Sequence, residues 1–264
     1  MRFGFCTEFA AVDKNIIDYD LVRRIKEAGY DYVEFPLMLI EKISDEEFEK
    51  VVATVKELNL SCEVCCGMFP KTVKLTGPQV DKEQIAAYLE KAFSRAAVLG
   101  THKIVLGSAP ARELPEGTDW ETGYSQMAEM LVTQVAPLCE KYDVEIVIEP
   151  LRSNACNFIH TLTDGMELVN RANSPYVKLL GDSLHMLTNE EDPNHIIEYK
   201  DDLRHVHIAE EARGLPEDGY SEYVAQVLKN LKSIGYDNTV SFEAKGGKEP
   251  DSMKKALELL KAQF

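Results

Sequence analysis

Short β-rich runs alternate with amphipathic segments along the whole chain, and this alternation limits the fold more than any other feature. The runs are RFGFCT at 2–7, DYVEFP at 31–36, SCEVCCGMF at 61–69, HKIVLGSA at 102–109, VEIVIEP at 144–150, YVKLLGDS at 176–183, LRHVHIAE at 203–210 and NTVSFEAK at 238–245. Between and after them, helical patterns run over 18–29, 44–59, 81–100, 121–142, 163–173, 192–200, 219–234 and 250–263. Asp18 and Gly29 are plausible cap and stop residues for the first helix, and Ser44 followed by Glu47 is a capping-box pattern for the second. Strands separated by helices pair in parallel through right-handed crossovers. Eight such units close into a barrel more readily than they form an open sheet. No G-x-G-x-x-G follows the first strand, which argues against a dinucleotide fold. The expectation is an α/β chain, a single (β/α)8 TIM barrel forming one domain over 1–264, and 264 residues suit it.

Composition narrows the function classes. Acidic residues number 45 against 29 basic ones, a formal charge of −16, and no Lys/Arg cluster offers a phosphate-neutralising face. Nucleic acid is therefore not expected as a partner. The N-terminal stretch, interrupted by Glu8 and closed by Asp13 and Lys14, is too short and polar for a signal peptide or membrane span, and no later run is long enough. Six cysteines without regular spacing read as free thiols in a reducing cytoplasm. Cys62, Cys65 and Cys66 form a C-x-x-C pattern inside a strand-like run. Strand alternation would point Cys62 and Cys65 to opposite faces, which favours buried core thiols over metal binding or redox pairing.

Strands of a closed parallel barrel should be apolar on both faces. Four strands of this chain end differently: Glu149 closes EIVIEP, Asp182 closes KLLGDS, His207 lies in HVHIAE and Glu243 in VSFEAK. Ile148, Val206, Ile208 and Phe242 adjoin them. If these apolar neighbours pack outward against the helices, the ionisable residues point into the barrel. Three carboxylates buried together would repel one another and lack solvation, and a divalent cation removes both objections. Three carboxylates and one imidazole suit Mn²⁺ or Mg²⁺ first, then Co²⁺, with Zn²⁺ admissible. His185, three residues after Asp182, is placed at the mouth to hydrogen-bond a substrate hydroxyl. Arg213, six after His207, is placed to reach over the metal. Glu210 is read either as orienting one of these or as a solvated loop charge. Glu34, Glu63 and Ser108 lie at or near the ends of strands two, three and four with no role decided, and Glu63 could instead pair with a Lys in mid-strand. Lys71, Lys74 and Arg112 could meet a substrate phosphate or stand solvated. The long loops 70–80, 109–120 and 211–219 follow strand C-termini, where barrel enzymes keep their chemistry.

The motifs IEPL at 148–151, GDSLHM at 181–186, HVHIAEEARG at 205–214 and SFE at 241–243 resemble those of the xylose-isomerase-like TIM-barrel sugar isomerases and epimerases. That group includes D-tagatose (D-psicose) 3-epimerase and hydroxypyruvate isomerase. The resemblance runs from MRFGFCTEF to SFEAK, and it implies a metal held by Glu149, Asp182, His207 and Glu243, with His185 and Arg213 contacting substrate. It also allows a homo-oligomer, since such relatives form dimers and tetramers. One departure stands out. The ketose 3-epimerases carry a substrate-contacting Glu a few residues after the fifth strand, where this chain has Ala155 in EPLRSNACNF.

The chemistry expected of such a site is rearrangement of a small sugar or keto-sugar. Metal on a carbonyl and adjacent hydroxyl stabilises an enediolate, and Glu149 and Glu243, on strands five and eight, exchange base and acid roles across it. A dehydratase or other lyase would use the same enediolate. An abasic-site endonuclease would need more His ligands than six histidines readily supply and a basic face. A non-catalytic sugar binder would hold the sugar without turnover.

Overall fold

Eight parallel strands, with helices between them, close on themselves in chain order. The computed structural model describes residues 1–7, 15–216 and 218–264. The readings at Glu8, Asp13 and Lys14 fall outside these residues. The strands are β1 (Arg2–Cys6), β2 (Tyr32–Pro36), β3 (Val64–Cys66), β4 (Lys103–Leu106), β5 (Glu145–Ile148), β6 (Val177–Asp182), β7 (Leu203–Ile208) and β8 (Thr239–Phe242). β8 pairs back onto β1, with Phe5 opposite Phe242, so no edge is left open.

Helices α1 (Tyr19–Glu27), α3 (Asp45–Glu57), α4 (Lys82–Val98), α8 (Leu162–Ala172), α11 (Glu222–Ser233) and α12 (Pro250–Lys261) lie near their expected positions. Asp18 and Ser44 cap the first two by accepting from Leu21 N and Glu47 N. The pattern at 121–142 becomes α6 (Trp120–Met130) and α7 (Ala136–Tyr142), joined by a π-helical turn over Leu131–Val135. Pro137, lacking an N–H and crowding the preceding turn, accounts for the wider turn. The pattern at 192–200 shortens to α10 (His195–Glu198). Three short helices stand where none was expected: α2 (Leu37–Lys42), α5 (Ala109–Arg112) and α9 (Ser183–Thr188). Each starts within three residues of the C-terminal end of a strand, so these helices rim the mouth.

Strand alternation sorts the core into two layers. Ile148, Val206, Ile208 and Phe242 belong to the large apolar cluster shared with the helices. Tyr32, Val64, Cys66, Val105, Val147 and Leu180 form a separate cluster filling the barrel. Gly4 makes room there, since a Cβ on it would lie 2.0 Å from the Tyr32 ring.

The thiols are free and buried as expected, but Cys62 and Cys65 do not point to opposite faces. β3 contains only Val64–Cys66, so Cys62 precedes the strand and escapes its alternation. Its sulfur lies 3.6 Å from that of Cys65, although all six cysteines are free and buried. No helix among the described residues is long and apolar enough to cross a membrane.

Candidate metal and substrate site

The four ionisable strand ends meet inside the barrel mouth. His207 Nδ1 lies 3.4 Å from Glu149 Oε1, 3.8 Å from Asp182 Oδ2 and 3.7 Å from Glu243 Oε2. All four side chains are buried. Local structure aims each one. Asp182 ends β6 and caps α9, its Oδ1 accepting from Leu184 N (2.8 Å) and His185 N (2.9 Å). That arrangement leaves Oδ2 facing the other carboxylates with no hydrogen-bond partner. Glu149 follows β5, its backbone N–H bonded to Leu106 O. A Cβ at Gly107 would lie 2.0 Å from Glu149 Oε2, so the bare backbone there makes space for the carboxylate.

Beneath the mouth, His207 is held from its other ring nitrogen. Its Nε2 lies 3.0 Å from Glu34 Oε1, and Glu34 Oε2 accepts from Ser241 Oγ at 2.5 Å and faces His205 Nε2 at 3.3 Å. His205 Nδ1 meets Thr239 O at 3.0 Å, and Ser241 Oγ meets Tyr32 OH at 2.8 Å. Burial alone would raise the Glu34 carboxyl, but His207 and His205 hold it well below the usual range. Glu34, undecided from sequence, is thus the charged partner that orients His207. His207 Nδ1 is left buried without a partner.

The electrostatics follow the geometry. Burial pushes Glu243 up to about 8, Glu149 and Asp182 adding to the rise and Arg213 and His207 opposing it. Burial would also raise Asp182, but His185, Arg213 and His207 draw it down to about 2. Burial depresses His185, against the pull of Asp182 and Glu149, favouring a neutral imidazole.

The donor set fits a divalent cation. Two orphaned atoms, Asp182 Oδ2 and His207 Nδ1, converge with the Glu149 and Glu243 carboxylates, and a cation would satisfy all four at once. His185 also comes close, its Nε2 lying 3.9 Å from both Glu149 and Asp182. Two donors face it, Arg213 Nη2 at 3.1 Å from Nε2 and Arg152 N at 3.3 Å from Nδ1, and a neutral ring accepts from only one of them. His185 lies with Glu149, Asp182 and Glu243 in one group whose ligand atoms are within 4.8 Å of one another, so the described residues offer a cation either imidazole.

A cavity of about 950 Å³ opens above this cluster, large for a small-molecule pocket, with Glu149, His185, Arg213 and Glu243 in its wall. Ala212 and Arg213 both adopt left-handed backbone (φ 60° and 59°), and the Arg213 guanidinium ion-pairs with Glu243. Such non-glycine geometry is held only where its surroundings compel it. Glu210 is not among the residues lining the cavity; its carboxylate accepts from Ser221 N at 3.1 Å and ties down the loop. Ser108 lines the cavity and accepts from Phe69 N. Glu63 pairs with Arg2, not a Lys, before β3 begins and so at the opposite end of the barrel.

Of the three candidates for a phosphate, Lys71 alone lines the cavity. Lys74 donates to Pro110 O on the surface. Arg112 is fully buried and donates to the carbonyls of Leu106, Glu149 and Ile159, bracing the strand ends. Arg152 and Lys245, which sequence reasoning passed over, do line the cavity.

The sequence profile described as xylose isomerase-like TIM barrel matches residues 22–263. The chain belongs to this family. Among its relatives is the 3-dehydro-D-guloside 4-epimerase of Escherichia coli, 24% identical over 234 residues, covering 84% of this chain and 85% of the relative. The ketose 3-epimerase of Arthrobacter globiformis is 29% identical over 233 residues, covering 84% and 76%. The crystal structure of the D-psicose 3-epimerase of Clostridium cellulolyticum with D-tagatose superposes with a TM-score of 0.85 at 18% identity, covering 99% of both chains. Both sequence relatives named here are sugar epimerases.

Proposed function

We propose that the chain is a divalent-metal-dependent epimerase or isomerase of a keto-sugar, Mn²⁺ or Mg²⁺ being the ions best matched to its oxygen-rich donor set. The observation that carries this reading is the convergence of three buried carboxylates with the unpartnered Nδ1 of His207 beneath an open cavity. The names of both sequence relatives describe inversion beside a carbonyl, at carbon 4 of a 3-dehydro sugar and at carbon 3 of a ketose. Such inversion needs a carbon acid to lose a proton on one face and regain it on the other.

The bound cation would supply Lewis acidity toward the carbonyl and adjacent hydroxyl, lowering the cost of the enediolate. The chain's own residues do the rest. Glu149 and Glu243 follow β5 and β8 on different sides of the mouth, so one carboxylate takes the proton and the other returns it. Asp182 and His207 serve mainly as ligands. Neutral His185 and charged Arg213 hold the substrate oxygens, while Arg213 keeps Glu243 in place. Ala155 lines the cavity without a carboxylate of its own, which leaves room for a substituent.

The test replaces Glu149 or Glu243 by Gln while excess Mn²⁺ keeps the site filled, with occupancy measured alongside activity. Each variant should bind the sugar yet lose on the order of 10²–10⁴-fold in turnover. Near-normal turnover in both at full occupancy would remove the two-carboxylate mechanism.

A further inference from the structure

Among the described residues, the charges in the cavity wall are not balanced. Glu41 is drawn to Lys91 at 3.1 Å, and Glu243 is paired with Arg213. Glu149 belongs to the candidate metal cluster. Among the described residues, the side-chain cations of Arg152, Lys71 and Lys245 have no ion-pair or hydrogen-bond partner, although all three line the cavity. Arg152 is partly buried, and its Nε is shut off from solvent with no acceptor. A buried donor left unmade is costly, so a guanidinium in this state is poised for an acceptor that arrives from outside. Its position ties it to the site. Its backbone N–H meets His185 Nδ1 at 3.3 Å, and, after burial and Arg213, its charge helps hold that imidazole neutral. Three residues on, Ala155 leaves the same stretch of wall open. The rest of the molecule makes this contrast sharper. A chain of net charge −16 repels anions in general, so free cations gathered at one opening select for them there.

We propose that the keto-sugar taken by this site carries an anionic group, a carboxylate or a phosphate ester, remote from its reacting carbonyl and held by Arg152, with Lys71 and Lys245 at the rim. The inference rests on the keto-sugar reading and names its substrate class. Arg152 supplies the specific contact, because a guanidinium matches the forked oxygens of either anion. The exposed lysines add attraction that salt will screen.

The experiment uses Mn²⁺-loaded protein and keto-sugars that differ only at the terminal carbon, bearing a hydroxymethyl, a carboxylate or a phosphate ester. Proton–deuterium exchange beside the carbonyl gives kcat/KM for each. One anionic substrate should exceed the neutral one by about 10- to 100-fold, the worth of a charge-assisted hydrogen bond. Arg152→Gln should reduce that ratio by a similar factor, and Arg152→Lys should keep part of it. Preference for either anion supports the proposal and identifies the source. A ratio near one in the unaltered protein, or a ratio unmoved by Arg152→Gln in a variant that melts normally and binds Mn²⁺, overturns it. If nothing exchanges, the function reading has failed, and calorimetry with gluconate and with inorganic phosphate decides the anion separately. Binding abolished by Arg152→Gln then supports the anion site, while no binding, or binding indifferent to the variant, overturns it.

Discussion

Replacing Glu34 by Gln tests how much of the metal site is built from below. The side chain is fully buried and does not line the cavity above the cluster, so the change replaces none of the four proposed ligands. Gln keeps one acceptor for His207 Nε2 at nearly the same position but removes the negative charge. That charge makes the imidazole a better electron donor through Nδ1 and fixes the ring toward Asp182, Glu149 and Glu243. One charge-assisted hydrogen bond, here spanning 3.0 Å, contributes about 1.5–3 kcal/mol. At about 1.4 kcal/mol per tenfold, the loss is roughly 10- to 100-fold in metal affinity. Titration of Mn²⁺ against a competing chelator measures it, with circular dichroism showing that the variant is folded. Glu34→Asp should also weaken binding, because shortening the side chain opens the 3.0 Å contact. A folded Glu34→Gln protein whose Mn²⁺ affinity stays within about twofold of the original would refute the claim that Glu34 sets the strength of His207 as a ligand.

Other outcomes follow from the same geometry. Gly107→Ala places a Cβ 2.0 Å from Glu149 Oε2, so Glu149 must move, and Mn²⁺ affinity should fall by about tenfold or more while Arg112 still braces the strand ends. His185→Ala and Arg213→Ala should each weaken sugar binding by about tenfold, read as a rise in KM, and unchanged kinetics in both would mean that the pocket is misplaced. Burial raises the Glu243 carboxyl to about 8, so below that value a cation competes with a proton for it, and the ion pair with Arg213 is complete only above it. Apparent metal affinity should therefore climb with pH toward that value and level off above it, with proton release seen by calorimetry in buffers of different ionisation heat. A flat profile across neutral pH would contradict this.

The barrel was legible in the sequence because eight β-rich runs alternate with amphipathic segments, and the candidate site because a charged end on a covered strand is a loud signal. In HVHIAE and VSFEAK the apolar residues alternate with His207 and Glu243, and the two core layers follow that alternation. The same alternation in YVEF places Tyr32 and Glu34 on one face, so Glu34 was within reach of the argument used for the later strands. Its partners His205 and Ser241 lie more than 170 residues away, and no local pattern announces them. Arg112 and Lys74, open between a phosphate and solvent, were undecided for a related reason. A basic residue in a mouth loop looks ligand-ready until the carbonyls it satisfies are seen. The short helices α2 and α9 were hidden because each is too brief for periodicity to register. α9 depends on Asp182 as its cap, a residue whose second oxygen is reserved for the site. Cys62 and Cys65 came together because β3 is shorter than its apolar run, and Cys62 stands two residues before the alternation begins.

We propose that the carboxylates at the mouth move a proton beside a sugar carbonyl with the help of a bound cation. Purified protein loaded with Mn²⁺ in deuterated water, with occupancy measured, is incubated with a panel of ketoses and neutral and acidic keto-sugars and followed by NMR. At least one sugar should take up deuterium at the carbon next to its carbonyl and accumulate the inverted epimer, and chelation should stop both. No exchange with any sugar at confirmed Mn²⁺ occupancy would contradict the claim.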